Sequence, residues 1–332
     1  MAYIAAGKRF CHRFFLGLLI STGLMAYAPA QTGTYPNRPV RFIVPYAVGG
    51  ATDVLTRVSA EAMSKSLGQS IVIENRPGAG VLLGSSFVAK APPDGYTFLI
   101  TTSAHSINQT LFRKLPYDSD LDFEPVAMLG KVSFVLLVHP KLEVNDLASF
   151  IDLLRKNPGR YSFGSAGVGS PMHVGPELFK NRTAIEATHV PYKGESAALN
   201  DLLGGHIAFM YCSTATAAPH IRAGTVRPLA VTSPRRSPLL PTVPTMAEAG
   251  LPAAETYSWI VLMAPANTPR EIVDLLNREV VKALSNDEVR ARMAEFGFDV
   301  DSRLSPAETR QFIHAEAVKW APIVKASGAV AE

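Results

Sequence analysis

Residues 40–75 read VRFIVPYAVGGATDVLTRVSAEAMSKSLGQSIVIEN, and the succession of patterns in this stretch decides the fold. Val40–Val44 is a short apolar run that predicts a strand, ended by Pro45. A loop then runs to Gly49-Gly50. Beyond it Val54, Leu55, Val58, Ala62 and Leu67 share one helical face, and Gly68 is the stop. Ile71–Glu74 predicts a second strand. Arg76-Pro77-Gly78-Ala79-Gly80 and a small-residue helix to Lys90 follow, then the turn Pro92-Pro93-Asp94-Gly95 and a third strand, Tyr96–Thr101. Strand and helix alternating in this way predict an open parallel α/β sheet.

Outward from there, Val132–Val138 is a longer apolar strand. Asn145 or Asp146 can cap a helix carrying Leu147, Phe150, Ile151 and Leu154, stopped by Asn157-Pro158-Gly159. The pattern then restarts with a strand at Tyr161–Phe163, a Gly/Ser loop from Ser165 to Ser170 and a helix from Pro171 to Lys180. Strands at Ala187–Val190, Ile207–Tyr211 and Pro228–Val231 complete a second α/β unit. Ser233–Pro252 is proline-rich and aperiodic, which predicts a surface loop, and Trp259–Ala264 is again strand-like. Thr268-Pro269-Arg270-Glu271 and Ser305-Pro306-Ala307-Glu308 both carry the spacing of a capping box with proline at the first helical position.

With 332 residues, 47% hydrophobic and 18% charged, the chain has ample material for a core, and disorder is excluded. The formal charge is +4, but Lys8, Arg9 and Arg13 stand in an acid-free first thirty residues. Subtracting those three from 32 bases leaves 29 against 28 acids, which lacks the basic excess of a nucleic-acid binder. The same thirty residues combine that basic start, the apolar run Phe14–Ile20 and the small-residue exit Ala28-Pro29-Ala30. They predict a secretory signal peptide over 1–30, cleaved after Ala30 and too short in its apolar run to span a membrane. Cys11 leaves with it, so Cys212 is the one cysteine of the mature chain and no intramolecular disulfide is available.

Catalytic and cofactor motifs fail on spacing. The third glycine of Gly78-Ala79-Gly80-Val81-Leu82-Leu83-Gly84 is one residue late for a dinucleotide fingerprint, and no acid stands at the ribose position. Gly164–Gly167 and Gly167–Ser170 resemble a nucleophile elbow without matching it, and Ser170 and His173 are at helix-face spacing. The histidines show no ligand spacing, so neither metal nor cofactor is expected; His139 and His189 read as structural. What remains is a pair of equivalent strand-to-helix loops, Ala47–Thr52 and Ser165–Ser170. Each offers backbone N–H groups at a helix N-terminus, where a carboxylate is favoured without a buried Arg or Lys.

These residues also carry a resemblance. Tyr35–Arg41, Val44-Pro45-Tyr46 through Asp53, Glu74–Gly80, Pro93–Thr97, Leu115–Asp118, Val190–Gly194, Asp201–Gly205, Leu229–Thr232 and Val243-Pro244-Thr245 occur in one order along the whole mature chain. In them the chain resembles the substrate-binding proteins of tripartite tricarboxylate transporters, the Bug-type periplasmic receptors. The resemblance implies an α/β, bilobed type II periplasmic-binding fold, two Rossmann-like lobes joined by crossover strands at Val126–Val138 and Trp259–Ala264. Lobe 1 would comprise 31–130 and 259–332, and lobe 2 131–258.

It further implies a periplasmic, non-enzymatic receptor that passes a small carboxylate to membrane permease subunits and acts as a monomer. The implied ligand-binding residues are Val48, Gly49, Gly50, Thr52 and Ser103 from lobe 1, and Ser165, Gly167, Gly169 and Ser170 from lobe 2. Cys212 and Ser213 stand where relatives of this type carry an acidic or amide pair, which favours a plain mono- or dicarboxylate, aromatic acids included, over an amino acid. Asp53 and Arg76 read as structural. A sensor presenting its bound form to a signalling ectodomain would have the same fold and site, and an exported hydrolase using Ser170 is the enzymatic alternative.

Overall fold

The computed structural model describes residues 35–300, 303–327 and 330–331. The signal peptide expected over 1–30, with cleavage after Ala30, and Cys11 lie outside the described residues. The chain begins β1 (Val40–Val44), α1 (Ala51–Leu67), β2 (Ile71–Asn75), α2 (Leu82–Ala89), β3 (Thr97–Thr102), α3 (Ala104–Leu111). The 16-residue β4 (Phe123–Val138) leads to α4 (Leu147–Lys156), β5 (Ser162–Ser165), α5 (Pro171–Thr183), β6 (Thr188–Pro191) and α6 (Glu195–Gly204). Then come β7 (Phe209–Ser213), α7 (Thr214–Arg222), β8 (Arg227–Val231), β9 (Tyr257–Pro265), α8 (Arg270–Ser285), α9 (Asp287–Glu295), β10 (Phe298–Asp299) and α10 (Pro306–Ser327).

The strand order is β2-β1-β3-β9-β4-β7-β5-β6, with β8 and β10 also paired to β4. β1 runs parallel to β2 and β3, and β5 parallel to β6 and β7, so both predicted α/β units form. The antiparallel β9 lies between β3 and β4. β4 belongs to both units: Phe123–Ser133 pairs with β9, and Phe134–Val138 with β7. Side chains of β4 therefore enter two cores. Phe123 and Met128 pack with Ile43, Leu99 and Trp259, while Val135 and Leu137 pack with Met210 and Val231. A third cluster joins the units: Val174 of α5 packs against Ile107 and Leu111 of α3 and Trp320 and Val324 of α10. The result is the bilobed α/β architecture.

The structure corrects three local expectations. β4 starts nine residues before Val132 and three before the Val126 implied by the resemblance, because register shifts at Pro125/Ala127 and Met128/Gly130 accommodate a proline and a glycine within the strand. The box at Ser305 forms, with the Ser305 N–H donating to Glu308 Oε2 at 2.8 Å and the Glu308 N–H returning to Ser305 Oγ at 3.3 Å. The one at Thr268 does not. Its hydroxyl donates to the Pro265 carbonyl at 2.8 Å, so α8 begins after Pro269 without a side-chain cap. The Ser233–Pro252 loop is not wholly superficial either, since Leu240, Val243 and Met246 are buried and the Met246 N–H donates to the Val231 carbonyl.

Candidate functional site

Where the parallel strands of the two lobes end, the structure encloses a cavity of about 250 Å³. A larger one of about 760 Å³ adjoins it across Tyr46, Ala47, Ala166, Ser170, Lys193 and Gly194. Three helices point their N-termini at the smaller cavity: α1 with Gly50, Ala51 and Thr52, α5 with Ser170, Pro171 and Met172, and α6 with Gly194 to Ala197. The first-turn N–H groups of a helix have no carbonyl one turn back, and the helix dipole adds partial positive charge there. None of these three ends carries a side-chain cap, as is also true of α2, α3, α7 and α8, so the first-turn N–H groups at the cavity stay free for a ligand. Lys193 lies exposed at the rim of both cavities and makes no ion pair among the described residues. An acid entering here meets donors from both lobes.

The remaining wall is largely apolar, with Val132 and Phe134 of β4, Met172 and Val48. Its polar side chains are mostly committed to one another. The Tyr46 hydroxyl lies 2.6 Å from Thr102 Oγ1, and burial pushes its pKa well up. Ser258 Oγ meets Ser103 Oγ at 3.0 Å. Buried Glu195 accepts from the Ser213 N–H, the Cys212 thiol at 3.2 Å and the Thr216 hydroxyl at 3.4 Å. Its carboxylate thereby serves the N-terminus of α7. Burial, then the Glu195 charge, pushes the Cys212 thiol far above its usual range.

The first loop is shaped by Asp53. Its carboxylate accepts from the Gly49 N–H at 3.0 Å, Arg57 Nε at 2.9 Å and Asn75 Nδ2 at 2.9 Å. Burial pushes this carboxyl up, but the donors from Arg57, Gly49 and Asn75 outweigh it and hold it below the ordinary aspartate range. Asp53→Ala removes the acceptor of the Gly49 N–H and of the exposed Arg57, while Asn75 keeps its bond to the Tyr46 carbonyl, and is expected to cost about 1 kcal/mol. The urea midpoint should fall with an unchanged m-value, and a midpoint equal to the wild type would show that the carboxylate does not shape the loop.

The predicted ligand residues fall into three groups. Val48, Gly50, Thr52 and Ser170 line the smaller cavity and Gly167 the larger one. Gly49 and Gly169 are in the two loops but their N–H groups turn away from the cavity, to Asp53 and to His173 Nδ1. Ser103 is buried behind Ser258, Ser165 beneath its loop, Cys212 in the core of the second lobe, and Ser213 at the N-cap of α7. The sequence reading lacks the third helix end, Gly194–Ala197, because that end carries one glycine rather than a Gly/Ser-rich loop and follows a strand of four residues. It also missed the contact of His189 Nε2 with Ser165 Oγ at 2.6 Å. Ser165 is fully buried, its hydroxyl also engages Gly167, and among the described residues no carboxylate hydrogen-bonds His189. The pair holds a loop and presents no exposed nucleophile.

Comparison with known proteins gives one consistent picture. A family described as "Tripartite tricarboxylate transporter family receptor" matches residues 55–329. Protein BugT of Bordetella pertussis is 39% identical over 316 residues, 95% of this chain and 96% of its own. The structure of R. palustris Rpa4515 with adipate superposes with a TM-score of 0.85 at 39% identity, covering 89% of this chain and 99% of that one. Periplasmic binding protein BugD gives a TM-score of 0.85 at 32% identity, covering 90% of this chain and 100% of that one.

Proposed function

The chain belongs to the tripartite tricarboxylate transporter receptor family, and from that premise we propose that it closes two lobes over one small carboxylate held by three opposed helix N-termini. It is a periplasmic solute-binding receptor that captures a carboxylate for transport. The observation that carries the binding mode is the convergence of three uncapped helix ends, from both lobes, on one cavity. In this reading 31–130 with 259–332 forms one lobe and 131–258 the other. Val48, Gly50, Thr52, Gly167 and Ser170 touch the acid or its waters, whereas Gly49, Ser103, Ser165, Gly169, Cys212 and Ser213 shape the walls. The mature monomer, cleaved after Ala30, then docks on the membrane subunits of its transporter. The adipate bound by Rpa4515 makes an aliphatic dicarboxylate the natural first ligand to try, with its second carboxylate toward Lys193.

A thermal-shift screen of residues 31–332 against aliphatic, aromatic, hydroxy- and amino acids tests this. An acid at a hundred times its Kd stabilises the folded state by about 2.7 kcal/mol, a rise of a few degrees. A shift confined to one class of acids is the expected result. A flat panel, with the protein folded and free of co-purified ligand, would remove the carboxylate from the site.

A further inference from the structure

The loop from Ser165 to Ser170 must present the N-terminus of α5 to the cavity, yet two of its residues are glycines at positive φ, Gly167 at +122° and Gly169 at +80°. Glycine peptides at such angles turn at little steric cost, so the loop relies on its hydrogen bonds, among them Ser170 Oγ to the Gly167 carbonyl at 2.7 Å, to hold this shape. Beneath it lies a column of three rings. His189 stacks on Phe163 at 4.9 Å between centroids, and His173 stacks on His189 at 3.9 Å. The two imidazoles each grip one end of the loop. His189 Nε2 lies 2.6 Å from Ser165 Oγ, which in turn accepts the Gly167 N–H at 3.1 Å. His173 Nδ1 accepts the Gly169 N–H at 3.3 Å, and both groups are buried. Neither histidine lines either cavity, so neither is a ligand contact.

We infer that His173, backed by the stacked His189, is a positioning residue for acid capture: its Nδ1 lone pair draws the Gly169 N–H inward and so fixes the loop that aims α5 at the cavity. The inference rests on the receptor reading, since it concerns the same site. A buried N–H that loses its only acceptor must turn elsewhere, and in a glycine loop turning is cheap. The histidine therefore acts through one lone pair, on the tautomer that carries its proton on Nε2. The role needs a neutral ring, since a protonated Nδ1 could not accept; Lys180 of α5, paired with Glu177 at 2.9 Å, adds a positive charge on the same helix.

Two variants separate this role from mere packing. His173→Leu removes the ring and the acceptor, while His173→Asn removes the ring but keeps an acceptor oxygen near the Nδ1 position. Amide hydrogen exchange, read without ligand, should show the Gly169 N–H about tenfold faster or more in H173L, with the body of α5 unchanged, and within about threefold of the wild type in H173N. Calorimetric affinity for adipate as the probe should follow the same order, while both variants lose thermal stability alike. Equal exchange at Gly169 in H173L and the wild type, or H173N behaving as H173L, overturns the inference. If the wild type takes no adipate, that ligand choice fails and the exchange result still decides the positioning role. Should H173L not fold, nitrogen-15 spectra of the wild type decide it. An accepting Nδ1 on His173 is expected, and a protonated Nδ1 overturns the assignment.

Discussion

Gly169→Val lowers the affinity for the captured acid by about a hundredfold or more, while the ligand-free protein still unfolds within a few degrees of the wild type. Gly169 sits on the second lobe, and a Cβ there would stand 2.3 Å from Asn108 Oδ1 and 3.1 Å from Leu111 of the first. Asn108 cannot simply withdraw, because its amide nitrogen donates to the Gly80 carbonyl at 2.9 Å. Gly80 is itself pressed against the other lobe, where a Cβ would fall 2.5 Å from the Val168 carbonyl oxygen. The two lobes thus meet glycine against backbone and glycine against amide, and a side chain at 169 wedges them apart. Parted lobes relieve the clash, which is why stability suffers little and closure a great deal. Gly49→Val offers the contrast: nothing lies within 4 Å of its Cβ position, so only the left-handed backbone at φ +86° is strained. That strain, shared by Gly169 at φ +80°, costs about 1–2 kcal/mol of stability and leaves the affinity within about tenfold of the wild type. Calorimetric titration of both variants with the acid found by thermal shift measures the difference. A Gly169→Val protein that binds as tightly as Gly49→Val would mean that the lobes do not meet at this point.

The second large effect is acid sensitivity. Burial, followed by the charge of Lys180, holds the His173 pKa down to about 4. Burial, then the His173 and Lys180 charges, holds His189 down to about 3. Unfolded histidine titrates near 6.5. Since the folded values are lower, the unfolded chain binds protons first as the pH falls. The stability contributed by the neutral rings is therefore complete above pH 6.5, declines below it, and is exhausted once the pH drops through about 4 for His173 and about 3 for His189. For His173 alone this amounts to about 3 kcal/mol, with His189 adding in the same direction. His105, also pushed down by burial, contributes likewise. Urea melts of the wild type and His173→Asn at pH 7, 5.5 and 4.5 isolate the effect, because carboxylate contributions are common to both. The wild type should lose stability more steeply, so that the gap between the two proteins narrows on acidification. Parallel profiles would show that the His173 ring is not kept neutral by its surroundings.

The parallel strands and the helices between them were legible because their signals are local: an apolar run, a turn residue, a helical face. Ala47–Thr52 and Ser165–Ser170 could be recognised as equivalent loops for the same reason. What stayed hidden depends on residues far apart in the chain. Nothing near Glu195 announces that its carboxylate serves Ser213, and nothing near His189 places Ser165 beside it. The apolar pattern alone shows only Val132–Val138 of β4, and the resemblance extends it to Val126; the bulges that let the strand continue through Pro125 and Gly130 depend on the partner strand β9. The resemblance implies Gly169 as a ligand contact; what no local pattern shows is that a Cβ there would meet Asn108 of the other lobe.

The place of β9 governs the order in which the chain can fold. It fills the slot between β3 and β4, so the Ser103–Ser258 contact at its edge spans 155 residues. Until that late segment arrives, the wholly buried β3 has an open apolar edge, and the first 130 residues hold only part of a sheet. Closing so long a loop makes assembly of the first lobe slow. A nascent chain ending before residue 257 lacks the strand that completes that lobe's sheet, whereas the core of the second lobe lies within residues 135–243. Completion of the first lobe thus waits for the late segment, and the interval before it arrives is when this receptor is most open to misassociation.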